Sequence, residues 1–392
     1  MLDRLTAGEV ALKPHTALYD AQQNLRYEEC LTRRGFDGPY TILYHEHRPH
    51  ELLPAECKHG WSDVWSDEAA LQPALLARHH YCGRALPRPT TALAPIDARV
   101  PLLLNEEVII SLLQPTASDP VYFSNADGDD LYFIHSGAGV LRSAFGDLSF
   151  DAGDYLCIPK GVLHRFELTT GVAQIWLSIE CRADFGLLKQ TRNELGQLRM
   201  DAPYCHRDFK RPRFVGPNDE GLRESVVKRA NRFQGFTHRH SPLDVIGFDG
   251  TVYPWAFPIS KFQPRVGATH LPPTVHGTFQ CRGALICSFV PRPLDFAQSA
   301  VTCPYPHSSV DVDEVIYYVS GQFSSRVGVE SGSLTHHPAG MPHGPHPGAY
   351  EHSVGVKATD EVAVMLDCYN PLRATALCRS IEDATYEASF CA

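Results

Sequence analysis

Short apolar runs broken every several residues by Asp, Gly or Pro fill the chain between residues 102 and 180: VIISLL, VYFS, LYFIH and AQIWLSIE. Runs of this length with turn-formers between them predict strands and tight connections, not helices. Residues 181–231, beginning CRADFGLLKQTRNELGQLRMD, are richer in charge and less periodic, and predict a short helix followed by a connector. The strand pattern resumes after residue 244 with DVIGF, GALICSF, EVIYYVSGQF and EVAVMLDCY, and a charged tail, RSIEDATYEASF, is expected to be partly helical. The division falls in the aperiodic stretch. It predicts an N-terminal β domain over residues 1–230, with a barrel at about 105–180, and a C-terminal domain with its tail over residues 231–392.

Two segments of the chain repeat one another. Residues 153–164, GDYLCIPKGVLH, and residues 332–343, GSLTHHPAGMPH, both read Gly, five residues, Pro, one residue, Gly, two residues, His. Upstream of each stands an acid followed by six residues and a Gly: Asp130 with Gly137, and Glu314 with Gly321. Glycines at these places suit turns that need positive φ, and the prolines set the chain before the next strand. This two-part pattern resembles the cupin superfamily, with its paired motifs on a small jelly-roll-type β-barrel. The resemblance implies a mainly β bicupin with two barrels, the second metal-binding.

In the second copy the first motif reads HSSVDVDE: His307, then Ser309 where many cupins have a second His, then Glu314. Val301 stands where the motif normally opens with Gly. In a strand starting at Glu314, residues 314, 316 and 318 share one face, so Glu314 can face the barrel interior beside His307. With His343 from the second motif this makes two imidazoles and one carboxylate, the set that suits a non-haem Fe(II) oxygenase with open coordination positions. A structural metal, or an empty barrel with hydrogen-bonded core histidines, is the alternative. The first copy keeps only His164 and offers Asn125 and Asp127 before Asp130, which predicts a metal-free barrel. The pairs His45 and His47, His238 and His240, and His79 and His80 lack an acid and a distant His at matching spacing. They are expected to be hydrogen-bonded or exposed.

Composition narrows the function classes. At 392 residues, with 43% hydrophobic and 20% charged residues, 30 Pro and 29 Gly, the chain is long enough for two domains and rich in turns. Its 35 basic and 45 acidic residues give a net charge of -10 without a basic stripe, which disfavours nucleic acid and anionic membranes as partners. The 12 Cys are scattered without a CxxC pair, as expected of reduced thiols. The first residues lack the apolar core of a signal peptide and no run of eighteen apolar residues occurs, so a cytoplasmic location is expected.

Four stretches carry a closer resemblance: residues 244–262 (DVIGFDGTVYPWAFPISKF), 270–280 (HLPPTVHGTFQ), 304–307 (PYPH) and 342–345 (PHGP). Together they resemble the homogentisate 1,2-dioxygenases, and residues 34–49 (RGFDGPYTILYHEHRP) resemble its shorter bacterial members. The resemblance implies an Fe(2+)-dependent, extradiol-type ring-cleaving dioxygenase that takes a dihydroxylated aromatic acid and dioxygen, homogentisate to maleylacetoacetate in the family. It implies a homo-oligomer. It assigns His307, Glu314 and His343 to iron, His270 as the base at a ring hydroxyl, and His337 and Tyr305 to the substrate pocket. His270 as a loop anchor and His337 as the group that orients a ligand are the competing roles. Phe323 falls where the family has a substrate-binding Tyr, and a phenyl ring cannot donate that hydrogen bond. One extra residue separates His307 from Glu314 relative to the longer enzymes. These departures leave room for another aromatic (gentisate-like, an aminophenol or a specialised-metabolite ring), and a cupin isomerase or binding protein remains an alternative of another class.

Overall fold

A computed structural model describes residues 3–61, 76–323 and 325–391 of the chain. The architecture is a mainly β bicupin. In the first barrel, one seven-stranded sheet runs in the order Gly146–Asp151, Ala138–Ser143, His164–Leu168, Tyr122–Asn125, Glu224–Arg229, Arg232–His238, Leu52–Ala55. Its second sheet runs Trp255–Pro258, Asp154–Ile158, Asp129–Ser136, Ile175–Cys181, Val108–Leu113, Arg99–Leu104, Arg373–Ala374. The main sheet of the second barrel runs Gly186–Leu187, Gly277–Gln280, Ala284–Phe289, Val362–Cys368, Asp313–Ser320, Ser333–His337, His79–Cys82.

Strands cross in both directions between the halves into which the sequence divides. His79–Cys82 extends the second barrel's sheet, whereas Trp255–Pro258 and Arg373–Ala374 lie at the two edges of a first-barrel sheet. Each crossing strand covers an edge whose backbone groups would otherwise lack partners. Residues 181–231 hold no α-helix. They form the 3-10 turns Lys189–Thr191 and His206–Asp208 and short strands. Between the two turns the Asn193 side chain accepts from the amides of Leu195 and Gln197, and Gly196 takes φ +82°; this local side-chain bonding competes with a helix. A short helix, Ala376–Ser380, capped by the Thr375 hydroxyl, ends as the charged tail begins, and within the tail the helical structure is the 3-10 turn Ala388–Cys391.

The repeated motifs build the same turns twice. Gly153 and Gly332 sit at φ +88° and +90°, and their amides bond the carbonyls of Ile134 and Tyr318 at 2.7 and 2.8 Å. The next contact is also duplicated. Asp129 accepts from the Lys160 amide and Asp313 from the Ala339 amide, both at 2.8 Å, so each motif loop is tied to the start of the strand carrying the acid.

Equal scaffolds enclose unlike interiors. Cross-strand pairing sets Asp130 beside Ile158 and Glu180, and Glu314 beside His337 and Asp367. In the first barrel, Arg99 pairs with Asp130 at 2.9 Å and Glu180 at 3.0 Å and donates to the Tyr132 hydroxyl. Lys228 bonds Glu180 at 2.5 Å and Asp127 at 2.8 Å, and Trp61 covers the Arg99 guanidinium at 4.4 Å. Two protein cations thus bind the three acids on the side of the barrel where His164 stands. Tyr132, Phe150, Phe166 and Trp176 fill the remaining space with edge-to-face and tilted ring contacts.

Removing Arg99 would strand Asp130 and Glu180 in that interior. Arg99→Met is expected to lower stability by about 3–5 kcal/mol, the range for breaking one side of a buried ion pair. Denaturant unfolding checks this, and a midpoint equal to that of the unaltered protein would contradict it.

Candidate metal centre

The strand Asp313–Ser320 places Glu314, Ile316 and Tyr318 on one face, towards the inside of the second barrel, while Val315 and Tyr317 enter the large core shared by both barrels. Tyr317 also bonds His135 of the first barrel at 2.8 Å. Across the mouth a two-residue ladder, His307–Ser308 with Pro342–His343, pairs His307 directly with His343. The ligand atoms of His307, Glu314 and His343 all lie within 4.8 Å of one another, and no other such group of His, Cys, Asp or Glu occurs among the described residues.

Glu314 Oε2 is 3.9 Å from His307 Nε2 and 3.7 Å from His343 Nε2. His307 Nδ1 faces the Tyr305 carbonyl at 3.2 Å and His343 Nδ1 the Met341 carbonyl at 3.0 Å. A carbonyl only accepts, so each Nδ1 carries the proton and each Nε2 presents its lone pair. His343 Nε2 is buried with no hydrogen-bond partner. Two free imidazole nitrogens and a carboxylate around one point are a donor set for a divalent metal, and a metal ion would satisfy the orphaned nitrogen. His343 and Glu314 are buried, whereas the His307 side chain is 31% exposed and forms the open side.

The remaining predicted site residues fall in different places. His337 is fully buried behind Glu314: Nδ1 donates to Oε1 at 2.8 Å, and the Tyr386 hydroxyl lies 3.3 Å from Nε2. Burial lowers the His337 pKa to about 3, so its imidazole is neutral. Burial would raise the Glu314 carboxyl, but the hydrogen bond from His337 and the closeness of the His337 and His343 imidazoles outweigh it and hold the group well below the ordinary range. His270 lines the cavity in front of the triad, with Nδ1 3.2 Å from Asp295. Tyr305 is 47% exposed at the mouth, 5.5 Å from the His270 ring and 6.4 Å from that of His307. Phe323 packs on Tyr318 at 4.8 Å. His337, Tyr305 and Phe323 are all absent from the cavity lining.

That cavity, about 530 Å³, is bounded by His307 and Glu314 at one end and by Ile316, Tyr318, Phe289 and Met365 within the barrel. Its size is that of a small-molecule site. It exists because the second barrel lacks the first barrel's filling: Trp176 pairs with Ile134 in one, whereas Ala363 pairs with Tyr318 in the other. Among the lining residues that the sequence motifs do not mark are Arg326, Arg292 and His276. Arg326 is buried, donates to the Gly344 carbonyl at 2.6 Å and approaches Glu314 to 4.0 Å. Arg326 and Arg292 belong to no motif, and His276 lies within the 270–280 stretch without being marked as a site residue there.

A candidate dioxygenase of Saccharolobus solfataricus is 34% identical over 98% of this chain and 97% of its own. The chain belongs to the homogentisate dioxygenase family. A model described as the homogentisate 1,2-dioxygenase N-terminal region matches residues 105–259. Homogentisate 1,2-dioxygenase of Bradyrhizobium diazoefficiens is 26% identical over 65% of this chain, which spans 59% of that enzyme's length. Among solved structures, a Bacillus subtilis oxalate decarboxylase variant aligns over 76% of this chain and 78% of its own, with 9% identity and a TM-score of 0.36. The relatives are dioxygenases, and in this chain the triad lies at the opening of the second barrel.

The decoy histidines are engaged elsewhere. His45 and His47 bond Asp244 at 2.7 and 2.9 Å, His238 bonds Ser225 at 2.7 Å, and His80 bonds Ser333 at 2.9 Å. In the first barrel His164 copies His343, with Nδ1 2.9 Å from the Val162 carbonyl and Nε2 orphaned, but its neighbouring acids already hold Arg99 and Lys228. Metal content should therefore fall below one-tenth of the unaltered level in His343→Ala and stay unchanged in His164→Ala. Elemental analysis of the two purified variants separates these outcomes, and equal losses would remove the distinction between the barrels.

Proposed function

We propose that the protein is a non-haem Fe(II) dioxygenase that cleaves the ring of a dihydroxylated aromatic acid, with homogentisate, giving maleylacetoacetate, as the reference substrate. The observation that carries this reading is the buried, unpartnered Nε2 of His343 beside an ionised Glu314 and the exposed His307, at the end of a cavity of small-molecule size. His307, Glu314 and His343 would hold the iron. Iron bound there supplies the Lewis acidity and the electron exchange with dioxygen that ring cleavage requires.

The chain's own groups orient the substrate and handle its proton. His270 stands at the cavity wall with Nδ1 towards Asp295, which keeps that proton in place and leaves Nε2 to accept one from a ring hydroxyl. Apolar residues Ile316, Phe289 and Met365 receive the ring and exclude water. His337 acts through Glu314: as a neutral imidazole it donates from Nδ1 and takes the Tyr386 hydroxyl at Nε2, so it fixes the carboxylate and does not touch substrate. Tyr318 is the phenol that lines the cavity, with Phe323 packed behind it. The missing Tyr at 323 therefore leaves a ring that supports the wall. A cupin isomerase or binding protein would use the same pocket without consuming oxygen.

Oxygen uptake by iron-loaded protein, measured across homogentisate, gentisate and aminophenols, tests the reading. Stoichiometric uptake with loss of the aromatic absorbance is expected for at least one, and none for any would overturn it. His270→Ala should keep its iron and lose about 10²- to 10⁴-fold in turnover. His337→Ala should instead weaken iron affinity about 10- to 100-fold, as loss of an orienting partner does. Unchanged metal titration in the latter would return His337 to a packing role.

A further inference from the structure

Charged groups on the cavity wall include Glu314, Arg326, Asp360, Glu361 and Arg292. Arg326 is spoken for, by the Gly344 carbonyl and by Glu314. Arg292 is not. It sits on the two-residue strand Arg292–Pro293, paired with Ala358–Thr359, and its guanidinium makes one hydrogen bond, to the Val290 carbonyl at 3.0 Å, with its carbon 5.7 Å from the Phe289 ring. Among the described residues no carboxylate comes within 4.0 Å of it, Glu361 included. Burial pushes the Arg292 guanidinium below its ordinary value, whereas buried Arg99, with two carboxylates, is pushed up. A guanidinium with five donors and one protein acceptor, facing a cavity, is set up for an anion, and a carboxylate matches its fork.

Its distance from the triad narrows the ligand. Glu314 pairs with Asp367, and Tyr318 with Ala363, which in turn pairs with Phe289. Phe289 is thus level with Tyr318, four residues or about 13 Å along the barrel from Glu314. Arg292 follows beyond Phe289 and its guanidinium carbon lies 5.7 Å from that ring, which favours a spacer between a ring held at the triad and the anion.

We propose that Arg292 anchors the substrate's carboxylate at the end of the cavity away from His307, Glu314 and His343, selecting aromatic diols whose carboxylate is carried on a side chain of two or more carbons. This rests on the reading of the cavity as the substrate site. Glu361, which lines the same cavity and feels the charges of both Arg292 and Arg326, keeps out groups that carry a second negative charge.

Calorimetric binding under anaerobic conditions tests the anchor without requiring turnover. The probes are 2,5-dihydroxybenzoate, 2,5-dihydroxyphenylacetate, 3-(2,5-dihydroxyphenyl)propionate and the methyl ester of the last. Wild-type protein is expected to bind the propionate most tightly and its neutral ester about 10-fold or more weakly. Arg292→Gln should lose about 10- to 100-fold on the propionate and little on the ester, and Arg292→Lys should fall between, since it keeps charge but not the fork. Glu361→Gln should tighten the propionate several-fold. Thermal unfolding of each variant separates loss of binding from loss of fold. Equal losses on acid and ester, or a wild-type preference for the benzoate, would overturn the role of Arg292. Absent oxygen uptake with an intact propionate preference would overturn the oxygenase reading and leave the anchor standing.

Discussion

The site depends on one buried carboxylate that never meets substrate. Asp313 accepts from the Ala339 amide and the Leu372 amide at 2.8 Å and holds His336 at 2.9 Å, and so ties the loop leading to His343 to the strand carrying Glu314. Without that tie, His337 and His343 would be free to shift relative to Glu314, and a metal triad tolerates little misplacement. Asp129 does the same for the first barrel through the Lys160 and Phe185 amides. Both aspartates are buried, and a buried acid accepting several hydrogen bonds is a rigid joint.

On that shared frame the two barrels solve the same electrostatic problem in opposite ways. An acid on the inner face of each barrel needs a positive partner, because an isolated buried charge is costly. In the first, Arg99 and Lys228 supply it from within the chain, and aromatic rings occupy the rest. In the second, His337 supplies only a hydrogen bond to Glu314, and Arg326 stays at 4.0 Å. Asp367, level with Glu314 where the first barrel has Glu180, has its pKa raised to about 7 by burial first and by the Glu314 charge second. Glu314 thus meets the converging Nε2 atoms of His307 and His343, of which the latter is buried without a partner, and no cation bonds it directly.

The cavity has its origin in side-chain volume. Where Trp176 fills the first barrel beside Ile134, Ala363 stands beside Tyr318 and leaves space that Ile316, Met365 and Phe289 line without closing. The empty space gives Arg292 and Glu361 somewhere to face, although neither comes within ion-pairing distance of the other. The second barrel gives up packing that the first retains, and the core beneath both barrels, to which Tyr317 and Val315 contribute, holds the hollow barrel in shape.

The sequence by itself determined the β class, the duplication and the companionship of His307, Glu314 and His343, because these rest on local periodicity and fixed spacing, which survive as turns and strand registers. It also separated the barrels, since the loss of histidines before Asp130 is visible in one dimension. Tertiary structure decided what spacing cannot express. The strand His79–Cys82 joins a barrel more than two hundred residues distant in the chain, and Trp255–Pro258 returns to the first, because exposed sheet edges seek partners irrespective of sequence order. His337 lies behind Glu314 and not in the cavity, since pairing across the ladder sets the two side by side. Arg99, Lys228, Arg292 and Arg326 belong to no motif; only folding brings these cations against their acids or leaves one facing empty space, because charge pairing acts through distance and burial and not through position in the chain.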